Sequence, residues 1–68
     1  MREIKLTING TTAKHEVRSA GELLSKLNIP RERVAIVVNE QVIRRANLDE
    51  TTLADGDIVE VITMVGGG

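Results

Sequence analysis

Polar and apolar residues alternate over residues 2–8, with Ile4, Leu6 and Ile8 on one side and Glu3, Lys5 and Thr7 on the other. That period of two predicts a half-buried strand. Asn9-Gly10 follows, two residues that tolerate positive φ, and predicts a tight hairpin. Residues 11–17 form the returning strand, with Ala13, His15 and Val17 sharing a side. Its polarity suits a sheet edge, which must resist pairing with other chains. Ser19 followed three residues later by Glu22 is a capping-box pattern, and Ala20, Leu23, Leu24 and Leu27 then recur at helical spacing. A helix over residues 20–27 is expected, closed by Asn28 and unable to continue through Pro30.

The run Val34-Ala35-Ile36-Val37-Val38 is long enough for an inner strand and too short for a typical helix. Val42 and Ile43 predict a short fourth strand after a turn at Asn39-Glu40. Residues 46–57 read as a connection pinned by Leu48 and Leu53 and ended by the Asp55-Gly56 turn. Residues 58–65 are the last strand, and Gly66-Gly67-Gly68 follows. One helix cannot cover both faces of a sheet, so the expected architecture is α+β: a mixed sheet of four to five strands with the helix across one face. Residues 1–65 form a single domain in this reading, and residues 66–68 a flexible glycine tail.

Composition narrows the chemistry. Of 68 residues, 41% are hydrophobic and 15 are Val or Ile, but there is no Cys, Phe, Trp or Tyr and a single His. The core must therefore be aliphatic, without disulfide or thiolate-metal support. Nine basic against ten acidic residues leave a formal charge of −1, which offers no field to attract nucleic acid. There are no aromatic platforms for unpaired bases. The longest apolar run has five residues, from Val34 to Val38, far below a membrane span, and the N-terminal residues alternate in place of a signal-peptide block. The expectation is a cytoplasmic protein that binds neither nucleic acid nor membrane.

In the last strand Glu60 marks the face away from the helix, so Ile62 and Met64 share that face while Val59, Val61 and Thr63 turn to the core. If the two strands are neighbours, Ala35 and Val37 lie on the same outer face, a candidate partner surface. The competing reading is ordinary exposure of a few aliphatic residues. His15 lacks companions for a metal site and reads as an edge-strand side chain. Arg31, Arg33, Arg44 and Arg45 offer a basic patch for an acidic partner, but the reading preferred is a solvated face balanced by Glu32, Asp49 and Glu50. Ser19 is explained by capping and has no base placed to activate it.

The hairpin, the helix, the Val-Ala-x-x-x-Asn strand at Val34 to Asn39, the Leu53-x-Asp55-Gly56-Asp57 turn, the x-Val-Glu-Val-Ile strand and the closing Gly-Gly together resemble the small sulfur carriers of the ThiS/MoaD family. The resemblance spans essentially the whole chain and implies the β-grasp (ubiquitin-like) fold. Length and the spacing after the Asp-Gly-Asp turn sit nearer the thiamine branch than the longer molybdopterin carriers. It implies a carrier, not an enzyme, with no bound cofactor. A ThiF-like adenylating enzyme would use ATP to convert the Gly68 carboxylate to an acyl-adenylate. A cysteine desulfurase relay would then supply sulfur for a thiocarboxylate, which thiazole synthase (ThiG-like) consumes. Gly68 would carry the chemistry, Gly66 and Gly67 the access, and Ile62, Met64, Ala35 and Val37 the docking. The alternatives are a MoaD-like molybdopterin carrier, a ubiquitin-like protein modifier and a binding-only β-grasp module. Two departures from the family pattern stand out: Glu40 where Gly is common, and Arg44-Arg45 where Pro-Arg is common.

Overall fold

The computed structural model describes residues 3–63. Five strands and one α-helix follow in the order β1 (Ile4–Ile8), β2 (Thr11–His15), α1 (Ala20–Lys26), β3 (Val34–Val38), β4 (Gln41–Ile43) and β5 (Ile58–Thr63), with single 3-10 turns at Arg31–Arg33 and Arg45–Asn47. The sheet order is β2-β1-β5-β3-β4, so the most C-terminal described strand fills the middle. β5 runs parallel to β1 and antiparallel to β3, while both hairpins are antiparallel. This is the expected mixed sheet, with β2 at one edge as its polarity suggests.

Both hairpins turn on two residues of positive φ, Asn9 (49°) with Gly10 (86°) and Asn39 (49°) with Glu40 (72°). That left-handed pair matches the twist of the flanking strands. Asparagine and glycine tolerate it, whereas glutamate is an unusual occupant.

Three of the N–H groups that the first turn of α1 leaves without an intrahelical partner find acceptors. Ala20 N donates to Thr51 O and Gly21 N to Leu48 O, each at 3.0 Å. Glu22 N donates to Ser19 Oγ at 3.1 Å, and the helix's own first i→i−4 bond runs from Leu23 N to Ser19 O at 3.0 Å. The Glu22 carboxylate accepts from Arg18 N at 2.7 Å, one residue ahead of the usual capping-box partner. At the other end Asn28 has φ 58°, and Asn28 N and Ile29 N donate to Ser25 O and Leu24 O at 3.2 and 2.9 Å. This is a Schellman closure with Asn in the glycine position.

The core is aliphatic throughout: Ile4, Leu6, Val17, Ala20, Leu23, Leu24, Val34, Ile36, Val38, Leu48, Leu53 and Val59 are buried between sheet and helix. Leu48 and Leu53 do pin the long connection. Several expectations need correction. β2 ends at His15 instead of residue 17, because Val17 leaves the edge to join the core. Leu27 is the helix C-cap and 38% exposed instead of lying on the buried face, since the chain has already begun its turn there. Thr63 has inward parity but is exposed, because it sits opposite Val34 at the end of the ladder. Among the described residues no helix is long and apolar enough to cross a membrane. Residue 2, the strand residues expected at 64 and 65, and the glycines 66–68 lie outside the described residues.

Candidate functional site

The Asp55-Gly56-Asp57 turn sets how β5 enters the sheet. Gly56 adopts φ 92°, which a side chain would resist. Its N–H donates to Lys5 O at 2.7 Å, while Asp55 Oδ1 accepts from Lys5 N at 2.7 Å. Asp57 Oδ2 accepts from Ala54 N at 2.8 Å, closing the turn on itself. Its other oxygen accepts from Asn39 Nδ2 at 2.9 Å. Each residue of the motif therefore has a structural task, and together they start β5 in register with β1.

Two asparagines from the two hairpin turns then hold β5. Asn39 Oδ1 accepts from Ile58 N at 3.0 Å, and Asn39 N donates to Ile58 O at 2.8 Å. Asn9 Oδ1 accepts from Val61 N at 2.8 Å, and its Nδ2 donates to Val61 O at 3.2 Å. Where the ladder with β1 runs out, a side-chain amide continues it.

Strand alternation gives β5 an inner row, Val59 and Val61, and an outer row, Ile58, Glu60 and Ile62. Ala35 pairs with Ile62, and Val37 with Glu60. Ala35, Val37 and Ile62 are thus brought onto one outer face, as their parity predicts. Met64, Gly66, Gly67 and Gly68 lie outside the described residues. Two residues belong to this face that sequence reasoning missed: Val42, paired with Val37, and Ile58. Their signals were the two-residue turn at Asn39-Glu40, which places 42 opposite 37, and the parity shared by 58, 60 and 62. Val42 is 71% exposed, Ile58 57% and Ile62 50%.

The outer face is divided. Its β1–β2 half carries Lys5, Thr7, Thr12 and Lys14, with Thr7 and Thr12 hydroxyls hydrogen-bonded at 2.8 Å across the hairpin. Its β5–β3–β4 half is aliphatic apart from Glu60. Exposed apolar side chains gathered on one half of a face suit a protein partner.

On the helix side the Arg31 guanidinium bridges both carboxylate oxygens of Asp49 at 3.1 and 3.2 Å and reaches Gly21 O at 3.4 Å. The hydrogen bond and charge of Arg31 hold the Asp49 carboxyl below its ordinary value, and Asp49 raises Arg31 in turn. Of the four arginines expected on a balanced, solvated face, Arg31 alone forms an ion pair among the described residues, and this pair lies away from the sheet's outer face. Among the described residues no group of His, Cys, Asp and Glu is arranged to hold a metal.

A family model described as the ThiS family matches residues 2–68. The chain belongs to the ThiS family. It is 30% identical over 61 residues to the sulfur carrier protein ThiS of Thermus thermophilus, covering 90% of this chain and 95% of that one. It is 37% identical over 68 residues to the ycf40 protein of Porphyra purpurea, covering 98% and 96%. A thiazole synthase of Paramagnetospirillum magneticum is 29% identical over 66 residues, which span 96% of this chain but only 20% of that protein. The crystal structure of the ThiS thiamine biosynthesis protein of Geobacter metallireducens superposes with a TM-score of 0.82 at 36% identity, over 96% of this chain and 100% of that one. Its solution structure gives 0.77 at the same identity. The ThiS relatives carry the same β-grasp architecture, which establishes the fold as the one the family resemblance implied.

Proposed function

We propose that this ThiS-family chain is a sulfur carrier of thiamine biosynthesis, acting through the main-chain carboxylate of Gly68. The observation that carries the reading is the family match over residues 2–68, which includes the glycine run after β5. A carboxylate is a poor electrophile until one oxygen becomes a good leaving group. A ThiF-like enzyme supplies that change: the Gly68 carboxylate attacks the α-phosphate of ATP, pyrophosphate leaves, and an acyl-adenylate results. A sulfur nucleophile from a cysteine desulfurase relay attacks the carbonyl carbon and AMP leaves. A thiol reductant cleaves the sulfur–sulfur bond where the donor is a persulfide, and a thiocarboxylate remains.

Gly66 and Gly67 present no side chain to a narrow active-site channel, and Ala35, Val37, Ile62 and Met64 dock the partner. Sulfur tethered to a protein is delivered at high effective concentration without release. The thiazole synthase of which one fifth aligns with nearly all of this chain supports thiazole synthase as the consumer of that sulfur. The carrier itself contributes no catalytic side chain.

The test is intact-mass spectrometry after incubation with the ThiF-like enzyme of the same organism, ATP and a sulfur donor. The expected result is one oxygen-to-sulfur exchange on the full chain, absent after deletion of Gly67-Gly68. An unchanged mass on a correctly folded full chain would overturn the reading.

A further inference from the structure

Glu60 stands alone in the aliphatic half of the sheet's outer face. It is flanked along β5 by Ile58 and Ile62 and faces Val37 across the ladder. A shallow depression at the turn end of that face is lined by Val37, Asn39, Glu40, Ile58 and Glu60, so two carboxylates border an apolar floor. Neither takes part in an ion pair among the described residues, where the single pair is Arg31–Asp49 on the helix side. The register places the other outer-face cations at a distance. Lys5 lies four residues before the β1 position beside Glu60, and Arg44 continues β4 toward the level of Ala35. Strand spacings put these backbones about 14 Å and about 12 Å from Glu60, and neither side chain forms an ion pair with it.

Glu40 reaches the depression from a backbone at φ 72°, where a β-carbon is disfavoured and glycine would relieve the strain. A second copy of the chain is a poor occupant. In a twofold face-to-face dimer centred on this patch, Glu60 would meet its own copy and bring like charges together as water is expelled.

We propose that the adenylating partner presents an arginine to this depression, its aliphatic stem on Val37 and Ile58 and its guanidinium between Glu40 and Glu60. Arginine fits both parts of the site, because its stem covers apolar surface while its planar fork pairs with carboxylates. Glu40 and Glu60 are then the residues of this chain that select among partners with similar apolar surfaces, since an uncharged or acidic surface would leave two carboxylates desolvated and unpaired.

The inference rests on the carrier reading, and the experiment separates the two. ATP–pyrophosphate exchange by the organism's ThiF-like enzyme is measured against carrier concentration for the wild-type chain, Glu60→Gln, Glu60→Lys, Glu40→Gln and Glu40→Gly, with thermal melts confirming folding. The expected result is a tenfold or greater rise in carrier KM for Glu60→Lys and a several-fold rise for Glu60→Gln and Glu40→Gln, at nearly constant kcat. Wild-type KM should climb with salt more steeply than that of Glu60→Gln. Glu40→Gly should melt higher yet bind more weakly, a combination that backbone strain alone does not produce. Exchange with wild-type protein but KM values within twofold for every variant would overturn the arginine site and leave the carrier reading standing. No exchange with folded wild-type protein would overturn both.

Discussion

The side chain of Asn9 makes to the main chain of Val61 both of the hydrogen bonds that a neighbouring strand residue would make, at 2.8 and 3.2 Å. A residue of the first hairpin turn thereby fixes the strand that leads toward the glycine run, 52 positions away. Asn9 has two roles, its left-handed backbone and its amide, and substitutions can separate them. Asn9→Gly keeps the turn and loses the clamp, and should cost about 1 kcal/mol in chemical denaturation. Asn9→Ala loses both and should cost about 1 kcal/mol more. Equal losses for the two variants would mean that the φ of 49° carries no strain for alanine.

Glu40 occupies the matching turn of the second hairpin, at φ 72°. Glu40→Gly should stabilise the fold by about 0.5–1 kcal/mol, the left-handed strain relieved less the extra freedom of an unfolded glycine. For a domain of this size that raises Tm by roughly 3–6 °C, readable by calorimetry.

The two rows of β5 should respond oppositely to substitution. Val59 is fully buried, so Val59→Ala should cost about 2 kcal/mol through lost burial and a residual cavity. Ile62→Asp lies on the exposed row and should shift stability by no more than about 1 kcal/mol, while strongly weakening adenylation. Denaturation and pyrophosphate exchange on both variants check the parity. A large loss of stability in Ile62→Asp would move that side chain into the core.

Asp49 gives the fold an acid-sensitive contact. Arg31 lowers its pKa in the folded protein below the ordinary 3.8, so the pair's stabilisation is present above that value and is lost as pH falls through the lower folded value. The urea midpoint of the wild-type chain should exceed that of Asp49→Asn near neutrality, and the gap should close at strongly acid pH. A β-carbon on Gly21 would overlap Asp49 Oδ1 and crowd Arg31. Gly21→Ala should therefore flatten the same acid limb, although alanine is otherwise favoured over glycine in a helix.

What could be read from the chain was mostly local. Ile4, Leu6 and Ile8, the Asn9-Gly10 turn, Ser19 with Glu22, and residues 34–38 each announce an element within a few positions, and all appear where they were expected. Ala35, Val37 and Ile62 followed from alternation alone. The contacts that assemble these pieces have no local signature. Asn39 meets Asp57 and Ile58, and Arg31 meets Asp49, each across 18 or 19 positions. Val42 joins the outer face only through its register with Val37, whereas Ile58, at the first position of β5, shares the parity that already marked Ile62. The 3-10 turn at Arg45–Asn47 carries no apolar period by which it could be recognised.

The central place of β5 has a consequence for how the protein is made. During translation the two hairpins and the helix leave the ribosome before residues 58–63 do, yet β1 and β3 touch through β5 and not through each other. Until that strand emerges the two hairpins have no strand to join them, the core lacks Val59, and the apolar outer face has only its β3–β4 part. The same late-arriving segment therefore both closes the core, through Val59, and joins the two halves of the sheet's outer face, so neither can form before residues 58–63 are free to pair.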